Sequence, residues 1–174
     1  NELIFGIEAG IAAALFTMGL FFSIFATSSL IPNMLDKGNI DLGIRATNKL
    51  FHRGPDNTGY WYSKKKGVFL GHTRLSVIDT SISANQPFVN KNSTLVFNGE
   101  IYNHLKLRAE LQTAGAAPAW RGHSDTETLL AGFEHWGIEA TLDKTVGMFA
   151  IALWDVQQRM LYLARDRFGE KPLY

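Results

Sequence analysis

Residues 148–164 read MFAIALWDVQQRMLYLA, and this stretch says most about the fold of the chain. Met148–Trp154 is apolar at nearly every position, which is typical of a strand buried on both faces. A turn at Asp155–Arg159 then leads into a second short apolar run, Met160–Ala164. The stretch therefore predicts two strands joined as a β-hairpin inside a core.

Two helices are predicted upstream of this hairpin. Leu105–Leu111 has helical spacing and stops at Gly115. Residues 124–127 read SDTE, the form of a capping box, in which Ser124 caps free amides and Glu127 reaches back. The helix that they open has an apolar face and ends at Gly137, and this face comprises Leu129, Leu130, Phe133 and Trp136.

The region before residue 103 predicts one more helix and several strands. Ile40–Phe51 has helical spacing, whereas Gly59–Tyr62 and Val68–Ile78 have the composition of strands. Short apolar runs at 94–97 and 101–102 flank Asn98-Gly99, a dipeptide that by itself indicates a tight hairpin turn. Strands at both ends with helices between them predict an α+β sandwich, with sheets stacked under helices.

Composition narrows the class of protein. The chain has 174 residues, of which 46% are hydrophobic and 19% charged, so it is globular rather than disordered or collagen-like. A net charge of +1 gives no case for nucleic-acid binding. The chain contains no cysteine, which excludes disulfides, thiolate metal sites and a cysteine nucleophile. Its five histidines are scattered, so we expect no metal site.

Residues 9–32 read AGIAAALFTMGLFFSIFATSSLIP and contain no charge. A run of this length suits a transmembrane helix, a buried core helix or a sequence artefact, and these interpretations stay open. As a membrane anchor, it would leave the rest of the chain in the cytoplasm, because Lys37, Arg45 and Lys49 follow it.

Six motifs follow one another along the chain. They are HRGPD at 52–56, GHTRLSVID at 71–79 with QP at 86–87, FNGEIYN at 97–103, SDTE at 124–127, GMFA at 147–150 and ARDRFGEKPLY at 164–174. In this order they resemble the type-2 glutamine amidotransferase domain of glutamine-hydrolysing asparagine synthetases. The resemblance covers the chain from about Ile40 to its last residue. It implies an N-terminal-nucleophile hydrolase fold, a four-layer αββα sandwich of two antiparallel sheets with helices outside.

The resemblance also implies a glutamine site. Amide hydrolysis needs a nucleophile, a base, donors for the oxyanion and groups that hold the amino-acid head. Arg74 would bind the α-carboxylate of glutamine, and Asp125, helped by Glu100, would bind its α-ammonium. Asn98 and Gly99 would form the oxyanion hole. The backbone of four consecutive residues would lie beside the carboxylate: Leu75, Ser76, Val77 and Ile78.

Each of these residues also has an ordinary structural interpretation. Asn98-Gly99 suits a hairpin turn. Asp125 in the first turn of a helix suits a partner of the helix dipole. Arg74 suits a surface or paired arginine. The motif set favours the functional interpretation only when its members are taken together.

The chain departs from the family at the nucleophile. Family members begin Met-Cys-Gly-Ile, and the cysteine, freed of methionine, attacks the amide with its own α-amine as base. Residues 2–7 read ELIFGI here, so an overlay would place Glu2 at the cysteine position. Alternatively, residues 1–34 do not belong to the domain, which then comprises 35–174 and lacks its first strand. In either case we expect no hydrolysis of glutamine by this polypeptide.

A synthetase domain follows in the family and uses ATP and Mg to activate aspartate for attack by ammonia. ATP and Mg are therefore implied for the parent protein and no cofactor for this chain. Two functions remain open. The chain is either the amidotransferase part of a cytoplasmic asparagine-synthetase-like enzyme, or a non-catalytic, membrane-anchored module that binds glutamine or acts as a scaffold.

Overall fold

The computed structural model describes residues 3–8, 12–16, 23–28, 37–64, 67–76 and 80–173. This part of the chain forms nine strands and four helices, with short 3-10 turns at Phe51–Arg53 and Ile82–Ala84. The elements in chain order are β1 Leu3–Glu8, β2 Ala12–Phe16, β3 Ser23–Ser28, α1 Lys37–Asn48, β4 Asn57–Ser63, β5 Val68–Arg74, β6 Phe88–Val89, β7 Ser93–Ile101, α2 His104–Thr113, α3 Asp125–Trp136, α4 Ile138–Lys144, β8 Gly147–Asp155 and β9 Met160–Arg165.

The strands form two antiparallel sheets. Sheet A has the order β1-β9-β8-β7-β6, and sheet B has the order β2-β3-β5-β4. Strands β8 and β9 form the predicted hairpin, with Asp155 opposite Met160. The carboxylate of Asp155 accepts hydrogen bonds from the amides of Gln157 and Gln158, which explains where the chain reverses.

Alternation of side chains along the strands separates the two faces of each sheet. Residues of β5, β7, β8 and β9 pack against one another between the sheets and form the inter-sheet core. Its buried members are Val68, Leu70, Val96, Ala150, Ala152, Trp154, Leu161 and Leu163. The sheets therefore lie face to face, as the sequence predicts.

Helices cover the two outer faces. Ile40 of α1 packs against Phe69 on the outer face of sheet B. The outer face of sheet A packs against the other helices, with Phe97, Ile151, Leu107, Leu129 and Leu142 in one cluster. The described elements thus stack as helix, sheet, sheet and helices, which is the predicted α+β sandwich.

The expectation of a helix in the apolar run 9–32 is wrong for those residues of the run that the structure describes. Ala12–Phe16 and Ser23–Ser28 are strands, and β3 pairs with β5 along its whole length. A continuous apolar run has no period to separate helix from strand, and an interior strand between two layers also requires apolar residues on both faces. Among the described residues, no helix has the length and hydropathy needed to cross a membrane.

The hairpin turn expected at Asn98-Gly99 is also wrong. Both residues lie inside β7, a single strand of nine residues that pairs with β8 from Ser93 to Ile101. Pairing over nine residues with a distant strand overrides the local turn preference of the dipeptide.

A buried carboxylate fastens the end of the chain to sheet A. Asp166 is 3% exposed and accepts hydrogen bonds from the amide of Phe149 in β8, at 3.2 Å. It also accepts from the amides of Phe168, Glu170 and Lys171 at 3.1, 2.9 and 2.9 Å. One side chain therefore satisfies four backbone donors and shapes the segment after β9.

We expect Asp166→Ala to lower the free energy of unfolding by about 2–4 kcal/mol, because it leaves buried amides without an acceptor. Urea denaturation followed by circular dichroism measures this. The matched control is Asp143→Ala, since the side chain of Asp143 is 78% exposed and, among the described residues, its carboxylate pairs with the side chain of Arg167 alone, at 3.5 Å. Its effect should stay within about 0.5 kcal/mol. Equal losses in both variants would contradict the assignment.

Candidate functional site

Strand β7 carries the proposed oxyanion residues at one end of the sandwich. Asn98 is 2% exposed and lies opposite Ala150 of β8. Two residues earlier, Val96 belongs to the inter-sheet core, so the alternation directs the side chain of Asn98 to the same space. A buried amide side chain at this edge offers a neutral donor in a region of low dielectric.

Gly99 has a backbone conformation, φ +156°, that L side chains rarely adopt. A Cβ atom there would overlap the carbonyl oxygen of Met148 and lie 2.7 Å from the Cα of Phe149. Glycine is therefore required at this position because strand β8 lies so close to Gly99. This structural reason comes in addition to the expected approach of a ligand to the Gly99 amide.

Arg74 ends strand β5 and is 6% exposed. Val68 and Leu70 of the same strand belong to the inter-sheet core, so alternation places Arg74 on that face as well. Its Nη1 donates hydrogen bonds to the carbonyl oxygen of Ser81 at 2.9 Å and to Oδ1 of Asn85 at 2.7 Å. The guanidinium is thus held by the loop that follows β5.

That loop also connects β7 to helix α3 through a side chain to which the sequence analysis gave no role. Oε1 of Gln86 accepts a hydrogen bond from the amide of Phe97 at 2.7 Å, directly before Asn98. Its Nε2 donates to Oγ1 of Thr126 at 3.3 Å, directly after Asp125. Gln86, which is 7% exposed, therefore spans the oxyanion residues and the acidic residue.

Asp125 is the first residue of α3 and is 5% exposed. Its Oδ2 accepts a hydrogen bond from the amide of Ile101 at 3.0 Å, and its Oδ1 accepts from the amide of Thr126 at 2.8 Å. Burial raises the pKa of Asp125 to about 6, although the amides of Ile101 and Thr126 act in the opposite direction and Glu100 adds to the rise. The carboxylate is therefore more than a partner for the helix dipole.

Glu100 is half-buried near the end of β7, and its charge affects several other groups, among them Tyr102. It raises the pKa of Asp125, and it opposes the effect of burial, which lowers the pKa of His104 and of Lys171. Two carboxylates within electrostatic reach of each other disfavour a second negative charge, and a bound cation would relieve that cost.

His72 lies two residues before Arg74 and is fully buried. Burial, with a smaller contribution from the charge of Arg74, lowers the pKa of His72 to about 3, and the backbone of Phe97 acts in the opposite direction. The imidazole is therefore neutral at physiological pH. Strands β5 and β7 both contribute to the inter-sheet core, so Arg74 and Asn98 belong to strands of facing sheets.

Some predicted residues have other positions or are not described. The amide of Ser76 donates to Oδ2 of Asp56 at 2.7 Å, so Asp56 holds the segment after Arg74 and Leu75. Val77 and Ile78 lie outside the described residues, and so does Glu2. Its neighbour Leu3 begins β1 and lies level with Asn98, but three strands away across sheet A, a separation of about 14 Å.

The charged residues that hold the loop before α3 were missed. Arg108 and Glu127 bond to several backbone groups of residues 121–124. Ser124 caps the helix as predicted, since its Oγ accepts from the amide of Glu127 at 3.3 Å. The carboxylate of Glu127 accepts from the amides of Arg121 and Gly122. The SDTE motif pointed to Glu127. A capping box predicts that its carboxylate accepts from the amide of Ser124, whereas here it accepts from those of Arg121 and Gly122.

A buried amide, arginine and carboxylate thus converge at one end of a two-sheet sandwich. The chain matches the family described as "Glutamine amidotransferase domain" over residues 31–174 and belongs to that family. It is similar to the corresponding part of proteins named glutamine-hydrolyzing asparagine synthetases. A putative glutamine-hydrolyzing asparagine synthetase of Mycobacterium bovis is 48% identical over 139 residues, which are 75% of this chain and 21% of that protein.

Two further relatives match a similar share of the chain. Glutamine-hydrolyzing asparagine synthetase 1 of Bacillus subtilis is 43% identical over 134 residues, 75% of this chain and 20% of that protein. Amidase chry2 of Gibberella zeae is 42% identical over 125 residues, 71% of this chain and 18% of that protein. The chain therefore spans about a fifth of the length of the curated relatives that it matches.

We expect Gly99→Ala to destabilise the fold by about 3 kcal/mol or more, because the new methyl group meets the backbone of β8. Gly115→Ala is the matched control, since Gly115 also has a positive φ, +68°, but has no atom within 4 Å of the Cβ position. That control should cost about 1 kcal/mol. Thermal unfolding of both variants measures the difference, and similar losses would show that the φ angle alone sets the cost.

Proposed function

We propose that this domain binds L-glutamine between its two sheets and presents the side-chain amide for hydrolysis. Arg74 pairs with the α-carboxylate, whose two oxygens match a planar guanidinium. Asp125 and Glu100 bind the α-ammonium. The side chain of Asn98 and the amide of Gly99 donate to the oxyanion that forms when the carbonyl is attacked. The fold class is that of the N-terminal-nucleophile hydrolases.

The observation that carries the proposal is the buried, high-pKa carboxylate of Asp125 bonded to the amide of Ile101. A carboxyl group that is desolvated next to a second carboxylate gains most from a ligand with a compact positive charge. An α-ammonium supplies that charge. Arg74, on sheet B, supplies a positive charge for the α-carboxylate of the same amino acid.

The presence or absence of a nucleophile distinguishes this proposal from a second candidate function, a module that binds glutamine without hydrolysing it. The 174 residues contain no cysteine, and this favours a glutamine-binding module without hydrolase activity. Sequencing the intact transcript across the region that encodes residues 1–40 distinguishes the two. A Met-Cys-Gly-Ile start in frame with residue 40 supports the enzyme, whereas the cysteine-free sequence confirmed in frame supports the binding module.

For the whole protein, we propose ATP-dependent formation of asparagine from aspartate and glutamine in the cytoplasm. The support is the similarity to asparagine synthetases of Mycobacterium bovis and Bacillus subtilis. ATP and Mg would bind to a synthetase domain, and the residues described here would supply ammonia to it. The acceptor that is amidated is decided in that domain.

Exposed apolar side chains at the site end of the sandwich support a partner domain there. Tyr102, Leu105, Val146 and Phe168 are 57%, 69%, 59% and 90% exposed. The amide of Tyr102 donates to the carbonyl oxygen of Val146 at 2.8 Å, so these two residues are adjacent. An apolar cluster of this kind is costly to leave in water and is typical of a contact surface.

We expect glutamine to bind about tenfold more weakly at pH 5 than at pH 7. The free carboxyl of Asp125 has a pKa of about 6, so it is mostly protonated at pH 5 and no longer attracts the ammonium. The ligand keeps its own charges over this range. Isothermal titration calorimetry from pH 5 to 8 measures the dissociation constant.

The control for this pH dependence is Asp125→Asn, which removes the titrating group. Its affinity should be low and flat from pH 5 to 8. An unchanged pH profile in the variant would assign the titration to another group, and a flat profile in the original protein would contradict the role of Asp125.

We expect no ammonia release from glutamine by this polypeptide, because it has no thiol and a carboxylate does not replace one. Homogeneous protein is incubated with glutamine, and ammonia is measured by coupling to glutamate dehydrogenase against a blank without protein. Release above the blank that disappears in Asn98→Ala would show that another group attacks the amide.

A further inference from the structure

A second group of charged residues surrounds the start of α3, next to Asp125 in the sequence. Arg108 of α2 extends to the start of α3, where its Nε donates to Oγ1 of Thr128 at 2.8 Å. Its Nη1 donates to the carbonyl oxygen of Gly122 at 3.0 Å, and its Nη2 donates to that of Ser124 at 3.1 Å. The guanidinium therefore binds backbone and side-chain groups on both sides of Asp125.

Glu127 completes this group from within α3. Its Oε2 lies 3.3 Å from Nη2 of Arg108, and the two side chains are only 6% and 11% exposed. Its Oε1 accepts from the amide of Arg121 at 2.7 Å, and its Oε2 accepts from the amide of Gly122 at 3.2 Å. The ring of Trp120 lies 4.0 Å from the guanidinium carbon of Arg108. Residues 120–124, which lead into Asp125, are thus held at several points.

This network exceeds what a helix start requires. Ser124 already caps α3, and exposed ion pairs add little stability. Here the ion pair is buried, and most of its bonds go to backbone groups of the segment that determines where Asp125 stands. Burial and Glu100 raise the pKa of Asp125, whereas backbone amides lower it, and the contacts of Arg108 go to the residues around Asp125.

We propose that Arg108 and Glu127 are positioning residues that set the selectivity of the site for ligands with an α-ammonium group. The proposal rests on the proposed function, in which Asp125 binds that group. Two clamps hold Asp125: the amide of Ile101 from the strand side, and the Arg108–Glu127 pair from the loop side. Loss of the loop-side clamp leaves the helix folded but lets the carboxylate move relative to Arg74 and Asn98.

The test compares two ligands that differ only at the α-carbon. L-glutamine carries the α-ammonium, and 5-amino-5-oxopentanoate has the same carboxylate and amide without it. Calorimetry at pH 7.5 gives both dissociation constants, and their ratio measures selectivity for the ammonium. Arg108→Ala and Glu127→Gln should each reduce that ratio about tenfold, with the affinity for 5-amino-5-oxopentanoate changed less than about twofold.

Lys144→Ala is the matched control. Lys144 also combines an ion pair with a ring contact, since its Nζ lies 2.9 Å from Oε2 of Glu110 and 4.9 Å from the ring centre of Trp136. It has no bond to residues 120–124 among the described contacts, so its removal should leave the ratio unchanged. Arg108→Lys keeps the charge without the planar fork and should also reduce the ratio.

The possible outcomes distinguish failure of the proposed glutamine-binding function from failure of the positioning role of Arg108 and Glu127. An unselective original protein would overturn the proposed function together with this inference. A selective original protein with unchanged ratios in folded Arg108→Lys and Glu127→Gln would overturn the inference alone. Equal weakening of both ligands in those variants would also overturn it, because it would indicate a general loss of structure.

Discussion

The hydrogen bond from the amide of Ile101 to the carboxylate of Asp125 is the constraint on which the site depends. It joins the last residue of β7 to the first residue of α3, so Asn98 and Gly99, the proposed oxyanion residues, are connected directly to Asp125, the proposed ammonium-binding residue. The bond is formed in a buried region, and burial there disfavours the charged form of Asp125. The domain therefore maintains a charge that would be more stable in water, as binding sites commonly do.

The loop after β5 connects Arg74 of sheet B to strand β7 and helix α3. Arg74 is held by Ser81 and Asn85, and Gln86 next to them bonds to Phe97 and Thr126. The proposed ligand site needs both sides of the sandwich, because Arg74 comes from sheet B and Asp125 comes from helix α3, which packs on sheet A. The spacing between the layers is set by the inter-sheet core, which contains small residues such as Ala150 and Ala152 on the sheet A side.

The sequence predicted what local pattern can reveal and missed what distant contacts decide. The hairpin 148–164 was predicted correctly, because two apolar runs around a polar turn have few alternatives. Asn98-Gly99 was expected as a turn, because its pairing with β8, fifty residues away, has no local signal. The run 9–32 has no period that separates helix from strand. Arg74, Asp125 and Asn98 were proposed as site residues from motifs, whereas the contacts of Gln86 and Arg108 are created only by the fold.

The nine-residue strand β7 serves the hydrophobic core and the site at once. Leu95 and Phe97 pack under the helices, while Val96 and Asn98 face the other sheet. A slip of one residue against β8 would exchange these two sets and place Asn98 under α3. Insertions or deletions within this strand would therefore remove the fold and the site together. Residues 114–119 between α2 and α3 are exposed or half-buried, so insertions there would disturb less of the fold than insertions in β7.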